Sequence, residues 1–290
     1  MNNTILAAVA GAVVASVMVT GCATQKSCCC KKDCATQKSC CKKGCAKVVD
    51  NKDFYVGGTF DANGINKGGK FDAAKANQAY YDLMAKFGYP VYPALKNDQL
   101  VKTKHSDGSQ YLGFWGIDFG LGDFAKYGMG GVIWVDEVKE EYFGHDIFLL
   151  PLQSIPEHRH VAQKIDPGIA TDRWTGEKFA EKNLPPKMES WLVRHGWVYS
   201  FSEVGEPNLD QFPEAKANLS ALLFDHKANK PTNLKSLHVE KWEADGVAHK
   251  LPKACTWHFM MAGTEGAIVS EFANFHDSKC NRFSVPGVAF

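Results

Sequence analysis

A chain of 290 residues with 45% hydrophobic and 12% aromatic content can bury a sizeable core in one globular domain or two small ones, which excludes disorder for most of its length. Lys and Arg total 33 against 32 for Asp and Glu, a balance that gives no electrostatic footprint for nucleic acid or for an acidic partner. Of the ten cysteines, eight lie between Cys22 and Cys45 and only Cys255 and Cys280 follow, which sets an N-terminal tract apart from the rest.

Residues Met1 to Gly21 carry no charge, and the apolar run Ile5 to Val19, ILAAVAGAVVASVMV, has the length of a signal-peptide core and is shorter than a membrane-spanning helix. It ends in Val19-Thr20-Gly21-Cys22, which resembles the bacterial lipobox, where a small residue precedes a cysteine that is diacylated and becomes the mature N-terminus. The expectation is a lipoprotein signal peptide over 1–21, lipidation at Cys22, and an exported protein held to a membrane of the cell envelope by that lipid. The leading MNNT lacks the Lys or Arg usual in such segments.

Residues 22–52 form a Cys/Lys-rich stretch in which CATQKSC stands at Cys22 to Cys28 and again at Cys34 to Cys40, with almost nothing apolar to bury. Closely spaced thiolates can converge on a soft ion such as zinc or copper(I). Against that, acylation of Cys22 leaves an odd number of cysteines, and an oxidising compartment favours mixed disulfides over ordered metal binding. A disordered tether is the expectation.

The folded part is expected over 53–290. VGGTFDANGINKGGK is a glycine- and asparagine-rich lead-in, and FDAAKANQAYYDLMAKFGYP predicts one helix ending at Gly88. Its stripe of Ala73, Ala76, Tyr80, Leu83 and Phe87 recurs at helical spacing and reads as a packing face without chemistry. From Tyr111 the pattern changes to short apolar or alternating runs, among them YLGFWGIDFG, GGVIWVDEV, DIFLLPLQ, SWLVRHGWVYSF, KSLHVEKW and GAIVSEF, which predict a mainly β architecture. In a period-two strand, Glu189, Trp191, Val193, His195, Trp197, Tyr199 and Phe201 share one side, so Glu189 lies on a face of core-type residues and needs a partner there. The charged, turn-rich stretch 166–186 reads as a loop inserted between strands, at the mouth of what they enclose.

The segment IPEHRH places His158 and His160 two residues apart, which on an extended strand turns both imidazoles to one face where they can bind the same ion. Downstream come Lys187-Met188-Glu189 and then WHFMMAGTEGAIVSEF, which offers His258 and Glu271. Taken singly, His258 beside Trp257 reads as a core histidine, Glu271 as a cap or a partner of Arg282, and Lys187 as a solvated lysine. The order H-x-H, K-x-E, W-H-x-x-x-A-G-x-E-G-A-x-V-S-E-F, together with FGLGDFAKYGMGGVIWV and FGHDIFLLPLQ upstream, resembles the cupin sugar isomerases and most nearly the D-lyxose ketol-isomerase family. The resemblance runs from about Phe71 to the C-terminus.

That resemblance implies a double-stranded β-helix (jelly-roll) barrel, one divalent metal ion held by His158, His160, Glu189 and His258, and Lys187 and Glu271 directed at a sugar substrate. In the family the K-x-E follows H-x-H within a few residues. Here about two dozen intervene, so Glu177 or Glu181 stands as an alternative ligand, with strand phase favouring Glu189. Three imidazoles and one carboxylate suit Mn²⁺, the leading expectation, as well as Fe²⁺, Co²⁺ or Zn²⁺. The implied reaction is aldose–ketose isomerisation through an enediolate, with Glu271 as base, Lys187 at the developing oxyanion, and Trp257, Trp191 and Phe259 as apolar faces for the sugar. Two alternatives are a non-catalytic surface module that binds a sugar or a metal and an Fe-dependent cupin dioxygenase, which has no use for the Lys187 and Glu271 pair. A homodimer is compatible with the family but is not specified by any residue here. His105, His145, His195, His238, His249 and His276 read as ordinary surface or core residues.

Overall fold

The computed structural model describes residues 49–289, except 92–94, 96–101, 104–109, 112–113, 138–139, 166–177, 179–180, 226–229, 232–233 and 276–277. The signal segment, Cys22 and nearly all of the tether lie outside the described residues. Among those described, no helix is long and apolar enough to cross a membrane.

Helix α1 spans Ala73–Phe87, where its apolar period places it. The Asp72 side chain accepts a hydrogen bond from the Lys75 amide at 3.1 Å and so caps the start. The end is set by Gly88, which takes φ 68°, a left-handed conformation that glycine adopts without steric cost. Ala76, Tyr80, Leu83 and Met84 are buried. The Tyr80 hydroxyl donates to Gln153 Oε1 at 2.7 Å, and Gln153 Nε2 donates to the Phe124 carbonyl at 2.6 Å, so a buried polar link ties the helix to two segments that connect strands of the sheet.

One antiparallel sheet of nine strands makes the body: β1 Phe114–Ile117, β2 Met129–Glu137, β3 Tyr142–Leu149, β4 His158–His160, β5 Glu189–Ser202, β6 His238–Glu243, β7 Ala248–Lys250, β8 His258–Asn274 and β9 Asn281–Phe283. Its order is β6-β5-β8-β3-β2-β1, with β7 also on β5, and with β4 joining β8 to β9. The sheet curls into a half-barrel, the mainly β, cupin-type architecture expected from the sequence. The long partners β5 and β8 bend where their register shifts, between Val193 and His195 and again between Gly196 and Val198. Gly196 has φ 70°, and a Cβ there would stand 2.1 Å from the Gly266 carbonyl oxygen, so only glycine fits the bend.

These bulges correct the period-two reading of β5. Glu189, Trp191 and Val193 are buried on the expected side, but His195 stacks on Phe87 of α1 with centroids 5.4 Å apart. Val198, rather than Tyr199, rejoins the core of Trp191 and Val193. Tyr199 and Phe201 instead pack with Ala215 and Leu219. Those two residues belong to a second helix, α2 (Pro213–Leu223), which the sequence pattern does not announce. Between β4 and β5, Gln163–Ile165 pairs with Lys182–Leu184, so the insertion is closed by a short ladder. Most of its remaining residues lie outside the described ones.

Candidate metal and active site

Three strands of the half-barrel deliver the cluster. His158 of β4 is in register with His258 of β8, and His160 lies two residues further along the same face of β4. Glu189 opens β5. One ligand atom from each of His158, His160, Glu189 and His258 lies within 4.8 Å of the others. Glu189 Oε1 is 3.0 Å from His160 Nε2, and Oε2 is 2.8 Å from His258 Nε2. Ligands in cis positions around one ion at metal–ligand distances of about 2.1 Å stand about 3.0 Å apart, which these spacings match.

The donor set fits a cation on chemical grounds as well. His158 Nδ1 lies 2.9 Å from the Pro156 carbonyl and His258 Nδ1 lies 2.8 Å from the Thr256 carbonyl. A carbonyl can only accept, so the ring proton is on Nδ1 and the Nε2 lone pair is left to face the cluster. Lone pairs and a carboxylate that converge in a water-poor interior call for a positive charge between them. Burial, followed by the neighbouring His258 and His160, holds His158 well below the usual histidine range. Burial also lowers His160 in spite of Glu189. For His258 burial acts downward, but the Glu189 carboxylate outweighs it and the net shift is upward. Burial pushes Glu189 up, yet His160, Lys187 and His258 together hold it well below the usual carboxylate range.

Beside this set lies a buried ion pair. Lys187 Nζ is 2.8 Å from Glu189 Oε1, contacts Glu271 Oε1, and sits 4.5 Å from the centre of the Phe143 ring. Burial acts to lower the ammonium pKa, but Glu189 and Glu271 outweigh it, so Lys187 stays charged. Glu271 is 4% exposed, and Trp191 Nε1 donates to its Oε2 at 3.2 Å. Burial alone would raise Glu271, yet Lys187, with help from His145, brings it below the usual range.

The structure therefore brings together all six residues picked from the sequence, and it adds a seventh. His145 of β3 is buried, with Nε2 3.1 Å from Glu271 Oε2. The sequence alone sets it among ordinary histidines. Its one signal is alternation, since His145, Ile147 and Leu149 fall on one face of an apolar strand. Glu271 pairs with Lys187 rather than with Arg282, whose Nη1 donates to the Lys279 carbonyl at 2.7 Å. Glu181, the alternative ligand, pairs with Lys164 at 2.8 Å on the exposed surface, and Glu177 lies outside the described residues. Of the three aromatic faces, only Trp191 reaches the site. Phe259 stacks on Phe201 at 4.2 Å in the α2 core, and Trp257 lies against Arg159 and Lys235.

A curled antiparallel sheet with an H-x-H strand, and with a glutamate and a third histidine on its two longest strands, is an arrangement of cupin type. More particularly, the chain is similar to the D-lyxose/D-mannose isomerase of Thermosediminibacter oceani, at 26% identity over 198 residues that cover 68% of this chain and 88% of that protein. It is also similar to the D-lyxose ketol-isomerase of Cohnella laeviribosi, at 28% identity over 59% of this chain and 75% of that one. Among solved structures, the L-ribose isomerase of Cellulomonas parahominis aligns over 74% of this chain and 92% of its own at 12% identity and a TM-score of 0.43. No protein-family model matches the chain. The resemblance to cupin sugar isomerases read from the motifs agrees with these relatives.

Proposed function

We propose that the protein is a metal-dependent aldose–ketose isomerase acting on a free sugar of the D-lyxose/D-xylulose or D-mannose/D-fructose kind, exported and anchored through a lipid on Cys22. The observation that carries the reading is the adjacency of a four-residue ligand set to a buried Lys187–Glu271 pair. In this reading His158, His160, Glu189 and His258 hold one divalent ion, Mn²⁺ foremost. When bound, that ion would polarise the sugar carbonyl and stabilise an enediolate.

The remaining work falls to the protein's own groups. Glu271, kept as a carboxylate by Lys187, takes the proton from C2 and returns it to C1. Lys187 keeps its own proton and presents an ammonium to the oxygen on which charge develops, while the hydroxyl proton lost from O2 passes to O1 and completes the exchange. Trp191 fixes Glu271 Oε2 and gives the sugar an apolar wall. Burial of Glu189, Lys187 and Glu271 keeps bulk water from competing for the proton. The names of the relatives support the substrate class. The apolar run before Val19-Thr20-Gly21-Cys22 supports export, and it also favours a second reading as a surface module that captures a sugar or a metal.

The test is ketose formation from D-lyxose and D-mannose by a soluble form beginning at Asp50, with Mn²⁺ and after chelation. Metal-dependent turnover supports the isomerase. Stoichiometric metal binding without turnover of either sugar moves the binding module ahead.

A further inference from the structure

A transverse rung of the sheet crosses the site. The register sets His249 of β7 beside Trp191 of β5, Trp191 beside Glu271 of β8, and Glu271 beside His145 of β3. Residues directly opposite one another in antiparallel strands project from the same face, so an imidazole stands at each end of the Trp191–Glu271 pair. His145 is 7% exposed, as enclosed as the carboxylate it adjoins. Neither of its ring nitrogens completes a well-aligned hydrogen bond among the described residues, although Nε2 lies 3.1 Å from Glu271 Oε2. The carboxylate favours the tautomer with the ring proton on Nε2, which leaves Nδ1 as an acceptor. A buried acceptor with no donor is costly, and in a native structure it calls for an occupant. His249 repeats the pattern at the far end of the rung, stacked on Trp242 at 4.2 Å with its Nε2 buried and without a hydrogen-bond partner among the described residues.

Resting on the isomerase reading of the same site, we propose that His145 is a substrate-binding residue whose Nδ1 accepts a hydrogen bond from a hydroxyl of a bound open-chain polyhydroxy compound. An acceptor selects a hydroxyl over a carbonyl, because only the hydroxyl has a proton to donate. His145 therefore addresses a carbon next to the pair that Glu271 serves, one that keeps its hydroxyl in both aldose and ketose. The imidazole holds the sugar through the whole conversion and takes no part in moving the proton.

The experiment uses the full chain loaded with Mn²⁺ and titrates it calorimetrically with D-arabinitol, the reduced and unreactive form of D-lyxose, in the wild type, His145→Leu and His145→Asn. Binding at least tenfold weaker in His145→Leu and partly recovered in His145→Asn, whose side-chain carbonyl can accept, is the expected result, with bound metal and melting temperature unchanged. Equal affinity in wild type and His145→Leu, or no polyol binding by the wild type, overturns the proposal. Should His145→Leu fail to fold, His145→Asn against wild type decides by the same measure, since loss of binding with no dependence on the substituent counts against Nδ1. Turnover of D-lyxose and D-mannose by the wild type is measured alongside. Polyol binding that depends on His145 without turnover would remove the isomerase reading and leave the binding role standing, and turnover with His145-independent binding would do the reverse.

Discussion

At the scale of single residues, the buried charges in this protein are held by their surroundings rather than by solvent. Glu189 touches two imidazoles and an ammonium at 2.8–3.0 Å, so it is the hub on which the ligand set turns. Glu189→Ala is expected to weaken metal binding by more than about 100-fold while the far-ultraviolet dichroism keeps its β signature, since outer-shell changes alone cost about 10- to 100-fold. Full metal occupancy in that variant would remove Glu189 from the set. Asp123 shows the opposite situation. Burial is the largest cause that raises its carboxyl to about 6, and Lys126, with Nζ 4.0 Å away, offsets it only in part. An acid raised in the folded state contributes stability that is complete below its unfolded pKa near 3.8 and is lost as pH rises through about 6. Asp123→Asn should therefore be more stable than wild type by about 1–3 kcal/mol at pH 7.5, since each tenfold loss of acidity on folding corresponds to about 1.4 kcal/mol, with the difference gone by pH 4. Urea unfolding at the two pH values checks this, and a gap of equal size at both would contradict it.

At the scale of elements, the site exists because two long strands bend without breaking. β5 carries Glu189 and Trp191, β8 carries His258 and Glu271, and the shifted register near Gly196 lets one pair of strands serve both the site end and the α2 end of the sheet. Gly196→Ala should cost about 1–3 kcal/mol for its left-handed backbone alone, and more for the contact with the Gly266 carbonyl. A denaturation midpoint within error of wild type would show that the bend tolerates a side chain. The bend also marks what the sequence could and could not tell. Helix α1 was legible because a capping aspartate, a helical stripe and Gly88 all agree. The H-x-H clamp was legible because a two-residue spacing has one meaning on a strand. The second half of β5 was not, since a bulge reverses the side-chain phase without any residue type that announces it. Helix α2 was hidden because only Ala215 and Leu219 of its described residues are buried, too few to set a period. His145 was hidden because its meaning comes from a partner 126 positions away, brought alongside only by sheet register.

At the scale of the whole molecule, the curled sheet separates two tasks. Its outer face packs against α1 through Tyr80, Phe114, Phe148 and Ile268, and this apolar cluster stabilises the fold without any chemistry. The inner face carries an apolar layer that includes Trp191, Val193, Trp242 and Val269, into which the histidines, Glu189, Lys187 and Glu271 are set. Ionisable groups buried this deeply persist only when paired, and here Glu189, Lys187, Glu271, His160 and His258 each have a partner drawn from a different strand or from the segment before β5. The stability lost by burying them is the reason to expect a function at this place rather than elsewhere on the sheet. The most direct measurement is the conversion of D-lyxose in D₂O followed by NMR, with Mn²⁺-loaded wild type and Glu271→Gln. The expected product from the wild type is D-xylulose that keeps the hydrogen of substrate C2 at C1 with little solvent deuterium there, formed at a rate about 10²- to 10⁴-fold lower in Glu271→Gln with metal still bound. No ketose from the metal-loaded wild type, or wild-type turnover in Glu271→Gln, would contradict this mechanism.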